Sequence, residues 1–279
     1  MPVQIPEYHD DLIALSPSTG FALTTESALQ AWTFHRLLGG KRKKDTDATS
    51  TGKLYHAGLL EDGAGIEVID ADAFRSNAAK AARDLAISKG LLPIVQPKWE
   101  QMQPALERIK ENIAKTDYSL DGGCSEVKVE WTEPADCKAG GVPCHARLDW
   151  LSDDAAKIID IKTTEGSVHP DTCAAKLVRE GGALQEAANV SAISRIFPDL
   201  AGRVSFTFLF IQTKEPFDVV PIESDGSMRE LGERQWQRAI GLWAGCRESG
   251  RWPGHSTGRA IRVGAPAWAL AREIDEEVA

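Results

Sequence analysis

Apolar residues recur every three or four positions through much of the first 115 residues and every second position soon afterwards, which predicts helices first and strands later. After an opening stretch to about Gly20 that lacks periodicity, Glu26 to Leu38 predicts a helix capped by Thr24 or Thr25 and stopped by Gly39-Gly40. The polar segment Asp45 to Gly52 reads as an exposed loop, and Leu54 to Leu60 as a short helix carrying His56. Asp72 to Ser88, rich in alanine and stopped by Gly90, predicts a longer helix. Trp99 to Ala114 continues the helical region, with Met102, Leu106, Ile109 and Ile113 on one face.

The period then shortens. Ser125 to Trp131 alternates polar and apolar residues as a half-buried strand does, and Cys144 to Leu151 and Ala156 to Lys162 predict two more, joined by the polar turn at Ser152-Asp153-Asp154. Helices follow at Pro170 to Arg179 and Leu184 to Ile196, then strands at Arg203 to Gln212 and Phe217 to Ile222, and a last helix from about Met228 to Ser249. Strands, helices and strands in that order predict an α/β sheet with helices packed on it. At helical spacing, Trp236 and Trp243 read as core residues.

Composition narrows the class. A 279-residue chain with 42% hydrophobic residues can fill a substantial core, and no run of eighteen apolar residues or signal-like start appears, which points to a cytoplasmic protein with no membrane contact. Five cysteines without a CxxC pair speak against a disulfide framework, a zinc ribbon or an iron-sulfur cluster. A net charge of −9 excludes binding to nucleic acid over the whole surface, so any such contact is local. The run Lys41-Arg42-Lys43-Lys44 is a solvated loop that could touch phosphate.

One strand carries candidate chemistry. Asp160 and Lys162 stand two apart in Ile158-Ile159-Asp160-Ile161-Lys162-Thr163-Thr164, so an acid and an amine share one face while Ile159 and Ile161 occupy the other. An even-numbered hairpin loop after Leu151 places Asp149 on the same face, and an odd one turns it away. Two carboxylates sharing a hard divalent cation suit phosphodiester hydrolysis, with the lysine steadying developing charge. An isolated Asp-x-Lys is more often a surface pair of little energetic value. Glu165 and His169, beyond the strand, read as solvated loop residues.

The surrounding residues resemble the RecE (exonuclease VIII) nuclease-domain family of the PD-(D/E)xK superfamily. The likeness is carried by Gly141 to Leu151 followed by Ile158 to Thr164, by the glycine-to-histidine segment Gly52 to Glu61, and by Glu126 to Trp131 as an E-x-x-x-x-W strand. Gln185 falls at the family's helix glutamine, and Arg251-Trp252-Pro253-Gly254 with Pro266-Ala267-Trp268 resembles its tail, so the match spans about residues 50 to 270. Where the family has Q-x-x-x-Y, this chain has Asn189.

The resemblance implies a restriction-endonuclease-like three-layer αβα core with a mixed central sheet, in one domain over 1–279. Within it, 1–50 would be a helical extension, 51–115 the helical part with His56, 116–225 the catalytic sheet and helices, and 226–279 the last helix and tail. It implies Lys162 as catalytic lysine, with Asp149, Asp160, Gln185 and Glu126 in the catalytic set. His56, Asp149, Asp160 and the Ile161 carbonyl would hold magnesium, for which manganese would substitute. It also implies a phage or prophage exonuclease acting 5′ to 3′ on double-stranded DNA ends, a ring-like homo-oligomer, and a RecT-like single-strand annealing partner. The rival readings are another nuclease of the superfamily, cutting single strands or internally, and a non-catalytic DNA-binding recombination accessory protein.

Overall fold

In the computed structural model, the described residues are 8–9, 11–41, 47–61, 63–256, 258–266 and 270. Arg42, Lys43 and Lys44 of the basic run, and Trp268 of the tail, lie outside them; Lys41 is exposed.

Eight α-helices and seven strands are described. The first helix, α1 (Pro17–Thr25), was not expected, and α2 (Ala28–Phe34) is a shorter form of the helix expected over Glu26 to Leu38. Ser16 caps α1 by accepting from the Thr19 N–H at 3.2 Å, with Pro17 preset for the first turn, and Ser27, not Thr24 or Thr25, caps α2. Two serine caps eleven residues apart thus start two separate short helices. After Phe34 the chain turns back, and the Gly39 N–H donates to the Trp32 carbonyl at 2.9 Å.

Helix α3 (Asp47–Leu60) begins within the segment expected to be a loop, so His56 sits in the interior of a fourteen-residue helix. Strand β1 (Ile66–Ile69) and strand β2 (Leu92–Val95) form a small parallel sheet around α4 (Asn77–Ser88), and neither strand was signalled by periodicity, each being four residues long. Helix α4 starts five residues later than Asp72 because Ser76 supplies the cap. Helix α5 (Gln96–Ile113) buries Met102, Leu106, Ile109 and Ile113 as their spacing predicts.

The main sheet runs β3 (Gly123–Pro134), β4 (Gly141–Ser152), β5 (Lys157–Thr164), β6 (Ser205–Gln212) and β7 (Val219–Ile222), in that spatial order. It is mixed: β5 and β6 are parallel, and the other pairs antiparallel. The parallel connection passes through α6 (Pro170–Glu180) and α7 (Gly182–Ile196), as a parallel crossover requires. The last helix, α8 (Gly226–Ser249), is capped by Asp225 on the Met228 N–H at 2.9 Å.

Two cores flank the sheet and make three layers. On one face Val129, Leu148, Phe208 and Phe210 pack with Leu177, Leu184, Trp236 and Trp243 from the helices α6, α7 and α8. On the other, Ile159, Ile161, Leu209 and Ile211 pack with Tyr55 of α3 and with α5. A buried carboxylate ties the first layer together. Glu133 accepts from the Trp131 indole at 2.8 Å, the Trp236 indole at 3.0 Å and the Ser191 hydroxyl at 2.5 Å, and pairs with Arg195 at 3.1 Å. Burial raises its pKa, but those three donors and Arg195 outweigh burial and hold the carboxyl below its usual range. Trp236 and Trp243 are core residues, as their spacing predicts. Among the described residues, no helix is long and apolar enough to cross a membrane.

Candidate active site

The site lies where the sheet forks. β4 and β5 pair only at Trp150 with Ile159 and Leu151 with Ile158. The loop between them therefore has even length, and Asp149 and Asp160 occupy facing positions. Beyond that pair the strands part. The Asp149 carboxylate accepts the Ile161 N–H at 2.8 Å, replacing the main-chain acceptor that a continued ladder would supply. The edge of β4 freed further along is covered by the N-terminal segment, where the His145 N–H donates to the Leu15 carbonyl at 3.0 Å.

A second irregularity sits beside it. Glu126 of β3 stands opposite Asp149 in register but outside the paired residues, with φ at 55°, the left-handed region that side chains rarely adopt. Val127 and Val129, with their partners Leu148 and Ala146, face the first core, yet Trp150, of the same parity as Leu148, faces the second. The alternation is reset at Glu126 and Asp149, and the reset leaves both carboxylates at the fork instead of committing them to one layer. Such backbone strain costs about 1–3 kcal/mol and persists where surrounding structure enforces it.

Because the fork is open, side chains reach it from both layers. From α3, His56 brings Nδ1 to 3.5 Å from the Asp149 carboxylate. Gly52, one turn earlier, lets that helix lie against the end of β5, where a Cβ would stand 3.0 Å from the Thr163 hydroxyl. From α7, Gln185 receives the Lys162 ammonium at 2.7 Å and donates its amide to Asp160. Lys162 also pairs with Asp160 at 2.6 Å, and its ammonium lies 5.6 Å from the centroid of the Phe208 ring. Asp160, Lys162 and Gln185 thus form a closed set, with Asp160 only 2% exposed.

The expected residues are gathered, but in two groups. His56, Glu126 and Asp149 offer ligand atoms within 4.8 Å of one another, while the Asp160 carboxylate is turned to Lys162 and Gln185 and is not in that three-residue group. The Ile161 main chain lies beside the His56 ring and favours its protonated form. Asn189 is buried one turn further along α7, and its Oδ1 bonds to neither Lys162 nor Asp160. Arg147, two residues before Asp149, was not singled out from the sequence and pairs with Glu126 at 2.7 Å. Period-two spacing from Asp149 was the signal for it. Lys176 reaches the Thr163 carbonyl at 2.8 Å. Glu165 and His169 remain apart, Glu165 paired with exposed Lys214 and His169 capping α6.

Electrostatics mark the three-residue group as short of positive charge. Burial, and then the Asp160 charge, push the Asp149 carboxyl well above its usual range, although Lys162 and the Ile161 N–H pull the other way. Burial also raises Glu126, against Arg147 and with Glu61. Burial lowers His56, with Lys162 and Arg147 acting in the same sense against Asp160 and Ile161, so the imidazole is held neutral. Glu126 Oε2 is buried without a well-aligned hydrogen bond. A neutral imidazole and two crowded carboxylates are the donor set of a divalent cation, and the residues fit one. The cleft above them, about 890 Å³, is also lined by Lys53, Arg147, Lys162 and Lys176, a concentration of cations on a chain of net charge −9.

No family model matches the chain, and no curated protein matches it in sequence. In structure it is similar to a solved protein from Eubacterium rectale described as a "putative exonuclease", with a TM-score of 0.55 and 11% identity over 92% of each chain. At that identity the likeness establishes the fold alone: an α/β three-layer core around a mixed five-stranded sheet.

Proposed function

We propose that this protein is a divalent-metal-dependent deoxyribonuclease that degrades linear double-stranded DNA from an end. One observation carries the proposal: a lysine locked between Asp160 and Gln185 stands beside the His56, Glu126 and Asp149 cluster, in a cleft lined by further cations. The described function of the Eubacterium rectale protein of like fold supports it.

His56, Glu126 and Asp149 would hold the cation, with Asp160 facing them across the fork. When bound, the cation supplies Lewis acidity toward a phosphoryl oxygen. Lys162 presents a fixed positive charge where the transferred phosphoryl gains negative charge, and its partners Asp160 and Gln185 prevent it from swinging into solvent. Lys53, Lys176 and Arg147 draw the DNA backbone into the cleft against the repulsion of an acidic chain.

Magnesium is the proposed metal and manganese its substitute, since both take carboxylate oxygens such as those of Asp149 and Glu126. A 5′ to 3′ direction, a cytoplasmic setting, a closed homo-oligomeric ring and a RecT-like annealing partner complete the proposal, and they rest on the resemblance to the RecE family. The test is purified protein with magnesium on linear and closed circular duplex DNA. Linear DNA should be degraded and circular DNA left intact, and Asp160→Ala or Lys162→Ala should abolish the activity in a protein that still unfolds cooperatively. Equal activity in both variants overturns the proposal, and cutting of circular DNA replaces the exonuclease with an endonuclease.

A further inference from the structure

A second cavity, about 620 Å³, adjoins the cleft and shares Arg147, Asp149 and Gln185 with it. It lies between α1, the corner joining α6 to α7, and the middle of β3 and β4. Asn189 forms part of its wall. That side chain is 1% exposed, and its Oδ1 is buried with no hydrogen-bond partner among the described residues. A buried amide without a partner is costly, and native proteins seldom keep one without a use for it. Gln185, one turn earlier on the same helical face, is fully engaged with Lys162 and Asp160, so Asn189 is not a spare member of that set.

The rest of the wall limits what could satisfy the amide. Phe21 is half-buried and packs so closely on the helix corner that a Cβ at Gly181 would stand 2.6 Å from its ring. Tyr8 lines the cavity too, with the Lys128 ammonium 5.0 Å from its ring centroid. Flat aromatic faces and one buried amide are the means by which proteins hold unstacked bases, and Lys128 and Arg147 of the same wall suit the phosphates of the strand that carries the base. The volume falls within the range that holds a small planar ligand. Because the two cavities share Asp149 and Gln185, a ligand filling both must be continuous past the reacting centre, as a polynucleotide strand is.

Building on the nuclease reading, we propose that this cavity is a subsite for an unpaired nucleobase of the strand whose phosphodiester lies at Asp149, with Asn189 Oδ1 accepting a hydrogen bond from a base N–H. Asn189 and Phe21 are binding residues on this reading, and the protein keeps an unsatisfied amide in its free form in order to recognise a frayed end.

The experiment is fluorescence anisotropy with the full chain in calcium, using labelled duplexes that end in a two-nucleotide overhang on either strand. In one set the overhang bases are intact, and in the other they are replaced by abasic sugars. Wild type should bind an intact overhang on the order of tenfold tighter than its abasic counterpart. Asn189→Leu and, separately, Phe21→Leu should each lose most of that preference. Asn189→Leu should also unfold at the same or a higher temperature, because it removes an unpaired buried amide; a purely structural asparagine would be destabilised instead. If wild type binds intact and abasic ends equally, or both variants keep the full preference, the subsite is refuted while the nuclease reading stands. If wild type binds neither duplex, both fall.

Discussion

Asp149→Asn should make the metal-free protein more stable while destroying its response to metal. Asp149 and Glu126 present ligand atoms within 4.8 Å, and two unit charges at that separation repel by about 3 kcal/mol at an effective dielectric of about 20. Asparagine keeps an oxygen for the Ile161 N–H and loses the charge on that bond, a loss of about 1 kcal/mol. The net gain is about 1–2 kcal/mol, or roughly 3–6 °C in a domain of this size. The pH dependence has a definite sign. Asp149 and Glu126 are raised in the fold, so it binds their protons more tightly than the unfolded chain does. The corresponding stability is fully present below the ordinary carboxylate range and is lost as pH rises through the raised values. The advantage of asparagine is therefore small at pH 5 and grows toward pH 8. Manganese at about a hundred times its dissociation constant would add about 2.7 kcal/mol to wild type and little to the variant, inverting the order. Thermal unfolding at both pH values, in chelator and in manganese, measures all four terms. A variant less stable than wild type in chelator at pH 8, or one that retains the full manganese shift, refutes the account of the cluster.

Two further outcomes follow from contacts already described. Gln185→Leu keeps the volume of the side chain but releases Lys162 and Asp160, and should lower kcat about 10–100-fold with a smaller change in KM, as steady-state kinetics on linear duplex would show. Glu133→Gln keeps an acceptor for both indoles and Ser191 and should cost about 1–2 kcal/mol, whereas Glu133→Ala strands those donors and should cost about 3–5 kcal/mol in urea denaturation. Because the Glu133 carboxyl is held low, its contribution is present above the ordinary carboxylate range and fades as pH falls through the lowered value; Glu133→Gln should flatten that acid limb.

The sequence by itself determined the alternation in Asp160-Ile161-Lys162, because a strand of period two must put the acid and amine together, and it determined the buried faces of α5 and α8, because helical spacing is local. The order of elements from β3 to α8 was legible for the same reason, whereas α1, β1 and β2 were not. The tertiary structure decided what depends on two distant segments meeting. Hairpin register at Trp150 and Ile159 set Asp149 opposite Asp160. The left-handed backbone at Glu126 turned a carboxylate that alternation assigned to an ordinary strand face into a neighbour of His56 and Asp149. The closure of α1 and the α6–α7 corner over Asn189 made a departure from a sequence motif into an unsatisfied amide in a cavity wall. Local periodicity carries no information on register, on strain enforced from outside the strand, or on which polar groups packing will deprive of water.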